Sequence, residues 1–213
     1  MEYEEKYQTR VQQVHEDIGN WQLLGDLWRL RDLKQDERDL KILEYGCGYG
    51  FRINTLPNAI GYDISKYAVA ICKQRGIEAT TELPKEKFDI IILAHSLEHL
   101  EEPMKTLKEL RTMLKPKGKV IIILPEDFHF KLDKNDVHQH LYCWNLQTLY
   151  NLLCRAGFKV ENCGRAPIPT MPVKLKFLLK FLGLNNYFKL TTLAGKVFNR
   201  YELRAIGCVD FDK

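Results

Sequence analysis

The chain has 213 residues, 45% of them hydrophobic and 28% charged. That is enough for one domain with a full core and an embellishment. A formal charge of +4 is too mild to imply a nucleic-acid partner by itself. The cysteines Cys47, Cys72, Cys143, Cys154, Cys163 and Cys208 form no C-x-x-C pair and no metal-ligand spacing. The start, Met1-Glu2-Tyr3-Glu4-Glu5, is acidic and lacks a signal-peptide core. No apolar run approaches the roughly 18 residues that span a bilayer. The expectation is a cytoplasmic protein with free thiols.

Residues 1–38 are polar, with Trp21, Leu24, Leu27, Trp28 and Leu30 recurring near helical spacing. They predict a helical segment that packs on a sheet edge or forms a flap over a ligand, with Tyr3 or Tyr7 touching it. Leu40–Tyr45 reads as a first strand that runs into Gly46-Cys47-Gly48-Tyr49-Gly50. Glycines let a backbone turn tightly and approach a ligand closely. A helix starting after them would aim its free N–H groups at that ligand. The spacing is G-x-G-x-G, one residue shorter than the dinucleotide fingerprint. Glu44, just before the turn, is a carboxylate at a buried strand end and must find donors or a cation. Ile60–Tyr62 ends a second strand with Asp63 at its tip. An acid so placed reaches a ribose hydroxyl pair in βαβ units. Together these features favour a nucleoside-bearing cofactor.

Ser65 is a natural N-cap for a helix to Arg75, with Gly76 as its stop. Ile77–Thr80 is a short third strand. Phe88–Leu93 is an unbroken apolar run, as expected of a strand covered on both faces. It delivers Ala94-His95-Ser96 to the carboxyl edge of the sheet, where open α/β sheets bind ligands. His95-Ser96-Leu97-Glu98-His99 also matches the H-x-x-E-H zinc pattern. That pattern needs both histidines on one helical face, and His95 sits at a strand exit.

Pro103–Leu114 is an amphipathic helix with Pro103 in its first turn. Lys119–Leu124 is a fifth apolar strand. The loop 128–144 carries His129, Asp133, Asp136, His138, His140 and Tyr142. His138 and His140 would share a face of an extended chain, lining an acceptor pocket, bracing the loop or holding a metal. Asn145 caps a helix to Arg155, and Phe158–Asn162 is a sixth strand. Residues 165–200 hold five lysines, two arginines and no acid, with Pro167, Pro169 and Pro172 near their start. Val173–Leu182 reads as a basic, apolar helix, either a lid with solvated lysines or a face for an anionic membrane or oily substrate. Tyr201–Val209 is a last strand.

The ordered set Glu44-x-Gly46-x-Gly48-x-Gly50, Asp63, Phe88-Asp89-Ile90-Ile91, Leu97-Glu98-His99 and Leu114-Lys115-Pro116-Lys117-Gly118 resembles the class I S-adenosylmethionine-dependent methyltransferases. The resemblance is specific from about Leu40 to Leu124 and weaker beyond. It implies an α/β three-layer sandwich. The Rossmann-like sheet would have seven mainly parallel strands, the last antiparallel between the fifth and sixth. It implies S-adenosyl-L-methionine as cofactor, held by Glu44, Gly46, Cys47, Gly48, Gly50, Asp63 and Ile64, with Ala94 and His95 along its methionine part. Glu44 would sit near the sulfonium end. The acid that such proteins often place after the third strand has Glu82 as its nearest counterpart. The Glu98-His99 pair would begin a helix behind the cofactor.

The implied activity is methyl transfer to a small-molecule, glycan or lipid-like acceptor at a hydroxyl. Positioning would supply most of the catalysis. A base would assist. His138 and His140, then His99, are the candidates, since an ordinary imidazole titrates near neutrality. No resident metal is expected, and the base-rich segment lacks the aromatic and arginine character of a strand-binding groove. A nicotinamide oxidoreductase is the less favoured enzyme reading. A non-catalytic cofactor-binding or membrane-adaptor protein of the same fold is the non-enzyme one.

Overall fold

The computed structural model describes residues 26–28, 31–126, 132, 134, 136, 138–170 and 178–209. Trp21, Leu24, Leu30, Tyr3, Tyr7, His129, Asp133 and the 173–177 part of the expected basic helix lie outside them. Seven strands form one sheet: β1 (Ile42–Tyr45), β2 (Ala59–Tyr62), β3 (Ala79–Thr80), β4 (Phe88–Ala94), β5 (Leu114–Pro125), β6 (Lys159–Pro167) and β7 (Tyr201–Cys208). Their order is β3-β2-β1-β4-β5-β7-β6. Pairs from β3 through β5 are parallel, and β7 runs antiparallel to both β5 and β6. This is the Rossmann-like arrangement the motif order implied.

Alternation along the central strands builds two cores. Phe88, Ile91 and Leu93 of β4 and Val120, Ile122 and Leu124 of β5 face one side. There they meet Leu107 and Leu110 of α2 (Pro103–Thr112) and Leu149 and Leu153 of α3 (Leu146–Arg155). Ile90, Ile92, Ile121 and Ile123 face the other side. They pack with Trp28, Ile53 and the Val69 and Cys72 side chains of α1 (Lys66–Gln74). Each such side chain contributes about 1.5–3 kcal/mol by leaving water. Two covered faces explain why β4 and β5 read as continuous apolar runs rather than alternating ones.

The caps follow the sequence. Ser65 Oγ accepts from Ala68 N at 3.2 Å, and Asn145 Oδ1 accepts from Thr148 N at 2.9 Å. Gly76 stops α1 with φ +73°. The expected helix after the glycine turn is absent. Residues 51–55 instead form successive turns, with Ile53 N donating to Gly50 O and Leu56 N to Ile53 O. The glycine turn takes up residues 46–50, so only residues 51–58 remain before the chain enters β2 at Ala59. Strand β3 is limited to Ala79–Thr80.

The basic segment also differs from its expected bounds. Its helix, α4, spans Leu178–Val197 and is broken at Gly183, where φ is 71° and ψ 164°. Tyr187 and Thr191 of α4 are buried, whereas Phe181, Leu193, Val197 and Phe198 are exposed. No helix among the described residues is long and apolar enough to cross a membrane. All six cysteines are free.

Candidate cofactor and acceptor site

The carboxyl ends of β1, β2 and β4 converge on the glycine turn. Gly46 N and Cys47 N both donate to Tyr62 O, at 2.8 and 3.0 Å. Asp63 Oδ2 accepts from Gly48 N at 2.8 Å, and Oδ1 accepts from Ser65 N at 2.9 Å. One carboxylate thus ties the turn to the start of α1. Gly46, Gly48 and Gly50 all have positive φ. A Cβ on Gly46 would lie 2.7 Å from Ser96 Cβ, whereas a Cβ on Gly48 would meet nothing within 4 Å. Gly46 is therefore required for packing, and Gly48 presents bare backbone to open space.

The predicted site residues fall into two groups. Around the turn lie Glu44, Gly46, Cys47, Gly48, Gly50, Asp63 and Ile64, with Ala94 and His95 on the adjoining strand. The Cys47 thiol is buried. It is turned beneath the loop, and a Cβ on Gly61 would touch its Sγ at 2.5 Å. Its hydrogen bond with Cys72, together with burial, pushes it well above the usual thiol range, so only its backbone is available to a ligand. Ile64 is 82% exposed beside Asp63. Glu82 is exposed, and its backbone N–H and carbonyl both bond to Thr80 Oγ1.

Glu44 is fully buried, and neither carboxylate oxygen accepts a hydrogen bond. Its nearest cation is Arg52, whose Nη1 lies 3.6 Å from Oε1. Arg52 was not foreseen from the sequence; a cation eight residues after a buried acid is the only signal. Burial first, with Asp63 and Asp32 adding repulsion, pushes the Glu44 carboxyl up to about 7 against the pull of Arg52.

The second group is the histidine cluster. His95 has φ +54°, a conformation few non-glycine residues adopt. Its Nδ1 lies 3.8 Å from Glu98 Oε1 and its Nε2 3.8 Å from Glu202 Oε2. Leu97–His99 is a single 3-10 turn, and a longer helix begins only at Pro103. His95 and His99 therefore do not share a helical face. His99 instead meets His140, with ring centroids 4.8 Å apart, and His140 meets His138 at 5.5 Å. Burial, with the three neighbouring imidazoles, holds His99 down to about 4. The three candidate bases, His99 on one segment and His138 and His140 on another, thus lie together.

Beneath His95 lies an ion network that no local motif announced. Arg31 Nη2 pairs with Glu202 Oε1 at 2.6 Å, and Arg204 Nε pairs with the same oxygen at 2.8 Å. Arg204 also pairs with the buried Asp32. Burial opposes ionisation of Glu202, but His95, Arg31 and Arg204 outweigh it and hold this carboxyl down to about 2. A surface depression lined by Asp39, Lys41, Asn58, Glu86, Asp89 and Lys115 lies at the opposite, amino edge of the sheet, away from these groups.

A sequence profile of the methyltransferase domain matches residues 16–162, well over half of the chain. An uncharacterised protein of Methanocaldococcus jannaschii is 31% identical over 130 residues, 55% of this chain and 63% of that protein. The chain thus spans less than two thirds of that relative. The 2-phytyl-1,4-naphtoquinone methyltransferase of Trichormus variabilis is 25% identical over 210 residues, covering 84% of this chain and 90% of its own. A solved S-adenosylmethionine-dependent methyltransferase of Thermotoga maritima superposes with a TM-score of 0.65 at 16% identity. That superposition covers 95% of this chain and 97% of the other. The chain belongs to the class I S-adenosylmethionine-dependent methyltransferases.

Proposed function

We propose that this protein transfers the methyl group of S-adenosylmethionine to a hydroxyl of a small amphiphilic acceptor. The observation that carries the reading is the glycine turn pinned by Asp63, with the Glu44 carboxylate buried beside it. These residues suit the cofactor. The open face of Gly48 admits a close approach. Asp63 stands at the tip of β2, where an acid reaches ribose hydroxyls in βαβ units, and Glu44 is a buried carboxylate whose nearest cation stands beyond hydrogen-bond range. Bound S-adenosylmethionine supplies a methyl already activated on a sulfonium. The chain's own work is to fix the acceptor in line with that methyl and exclude water. His138, exposed at the rim of the histidine cluster, receives the acceptor's proton.

The acceptor class rests on two supports. The naphthoquinone methyltransferase relative acts on an apolar ring compound by its name. The exposed Phe181, Leu193, Val197 and Phe198 on and after α4, beside Lys189 and Lys196, offer an apolar surface with cations. Such a surface suits an oily tail or an anionic membrane. Calorimetric titration of ligand-free protein with S-adenosylmethionine and with nicotinamide cofactors tests the cofactor reading. Micromolar binding of the methyl donor alone is expected. Binding of a nicotinamide cofactor instead overturns it.

A further inference from the structure

We infer that Glu98, His99 and His140 form a binding site for one transition-metal ion of the zinc class, beside the methyl-transfer site. The carboxylate of Glu98 and the ring nitrogens of His99 and His140 offer one donor atom each, all within 4.8 Å of one another. The side chains come from two separate segments that the backbone clamps together. Leu141 N and Tyr142 N both donate to Glu98 O, at 2.9 and 3.3 Å, and Tyr142 Oη donates to Glu101 O at 3.0 Å. Asp136 turns the loop just before, accepting from His138 N and Gln139 N at 2.9 and 3.0 Å. The loop is thereby held with His140 edge-on to His99.

The donor set selects the ion. Two imidazoles and one carboxylate suit zinc, iron, cobalt or nickel, whereas magnesium and calcium take oxygen ligands. Two histidines and a glutamate with a fourth position open is the composition of a catalytic zinc site. Zinc–ligand bonds of about 2.0–2.2 Å require the three donors to close inward on the ion. Glu98 is fully buried, and a buried carboxylate is stabilised by a cation at its oxygens. His95 Nδ1 lies 3.8 Å from Glu98 Oε1.

The site is next to the cofactor turn. Ser96, two residues before Glu98, donates from Oγ to Tyr45 O at 3.0 Å and packs against Gly46. A hydroxyl acceptor reaching the open metal position loses its proton more readily, as water does on zinc. The proton passes to His138. The oxygen forms the new bond to the methyl carbon as the carbon–sulfur pair returns to sulfur. This role rests on the hydroxyl-acceptor reading; the metal site itself does not.

The test uses the full chain after chelator treatment, titrated with cobalt(II) by visible absorption and then with zinc, with magnesium as the comparison ion. One equivalent of cobalt is expected, with ligand-field bands of a low-coordinate site, displaced by one equivalent of zinc and not by magnesium. His140→Ala and Glu98→Gln should each weaken zinc binding at least tenfold. Circular dichroism and S-adenosylmethionine binding report that each variant is folded. Absence of stoichiometric uptake, or uptake unchanged in both variants, overturns the site. Zinc uptake as expected, with methyl transfer indifferent to chelation, keeps the site and overturns its role toward the hydroxyl.

Discussion

Replacing Glu44 by glutamine separates the stability of the empty protein from its affinity for the cofactor. The Glu44 carboxyl is raised from 4.5 to about 7 in the fold, chiefly by burial. Below its unfolded value it is protonated in both states and contributes no pH dependence. As pH rises from 4.5 towards 7, the unfolded chain releases this proton while the folded chain keeps it, so stability falls. Above 7 both states are ionised and the deficit is constant. At about 1.36 kcal/mol per unit, the full deficit is about 3 kcal/mol. Glutamine, isosteric with the neutral acid, removes this dependence.

Urea unfolding of ligand-free wild type and Glu44→Gln, at about pH 5 and pH 8, isolates the difference. The variant should gain about 2–3 kcal/mol relative to wild type between the two pH values, or roughly 4–12 °C in Tm for a chain of this size. The same substitution should weaken S-adenosylmethionine at pH 8, because the anion facing the cationic ligand is gone. A wild-type-to-variant difference that is equal at both pH values refutes the burial reasoning. Cofactor affinity unchanged in the variant refutes the placement of Glu44 at the ligand.

Three further outcomes are expected. Asp63→Ala should weaken S-adenosylmethionine at least tenfold by calorimetry; unchanged affinity removes Asp63 from the cofactor site. Glu202→Gln should cost about 3–5 kcal/mol in urea unfolding at neutral pH, because it leaves the buried Arg31 without the Glu202 carboxylate and Arg204 with Asp32 alone. The depressed carboxyl makes the wild-type contribution present above the ordinary glutamate value of 4.5 and lost as pH falls towards 2. An acid-unfolding profile shared by wild type and variant would contradict this. Co-sedimentation with anionic vesicles should fall when Phe181 and Phe198 are changed to serine and when salt is raised; equal recovery of all forms excludes surface contact through α4.

Much of the fold was legible because its signals are local. The apolar runs of β4 and β5, the Ser65 and Asn145 caps, the stop at Gly76 and the glycine turn before Asp63 each depend on residues close in the chain. The expected helix after Gly50 is replaced by turns because β2 begins already at Ala59, a start that the sequence pattern did not place. The break at Gly183 was less visible, since a single glycine inside an apolar pattern does not reveal its φ.

By itself, the sequence determined the family, the strand order that its motifs imply and the carboxyl edge on which ligands converge. Short-range chemistry sets these: turn geometry, burial periodicity and capping act within a few residues. Only the tertiary structure decided which distant charges meet. It placed Arg52 near Glu44, set Glu202 between Arg31, Arg204 and His95, and brought His140 against Glu98 and His99. The last two encounters depend on how β7 inserts beside β5 and on how Leu141 and Tyr142 are tied to Glu98 O. Apart from the Arg52–Glu44 pair, no spacing within one segment encodes them, because the partners are joined through the packed core and not through the chain.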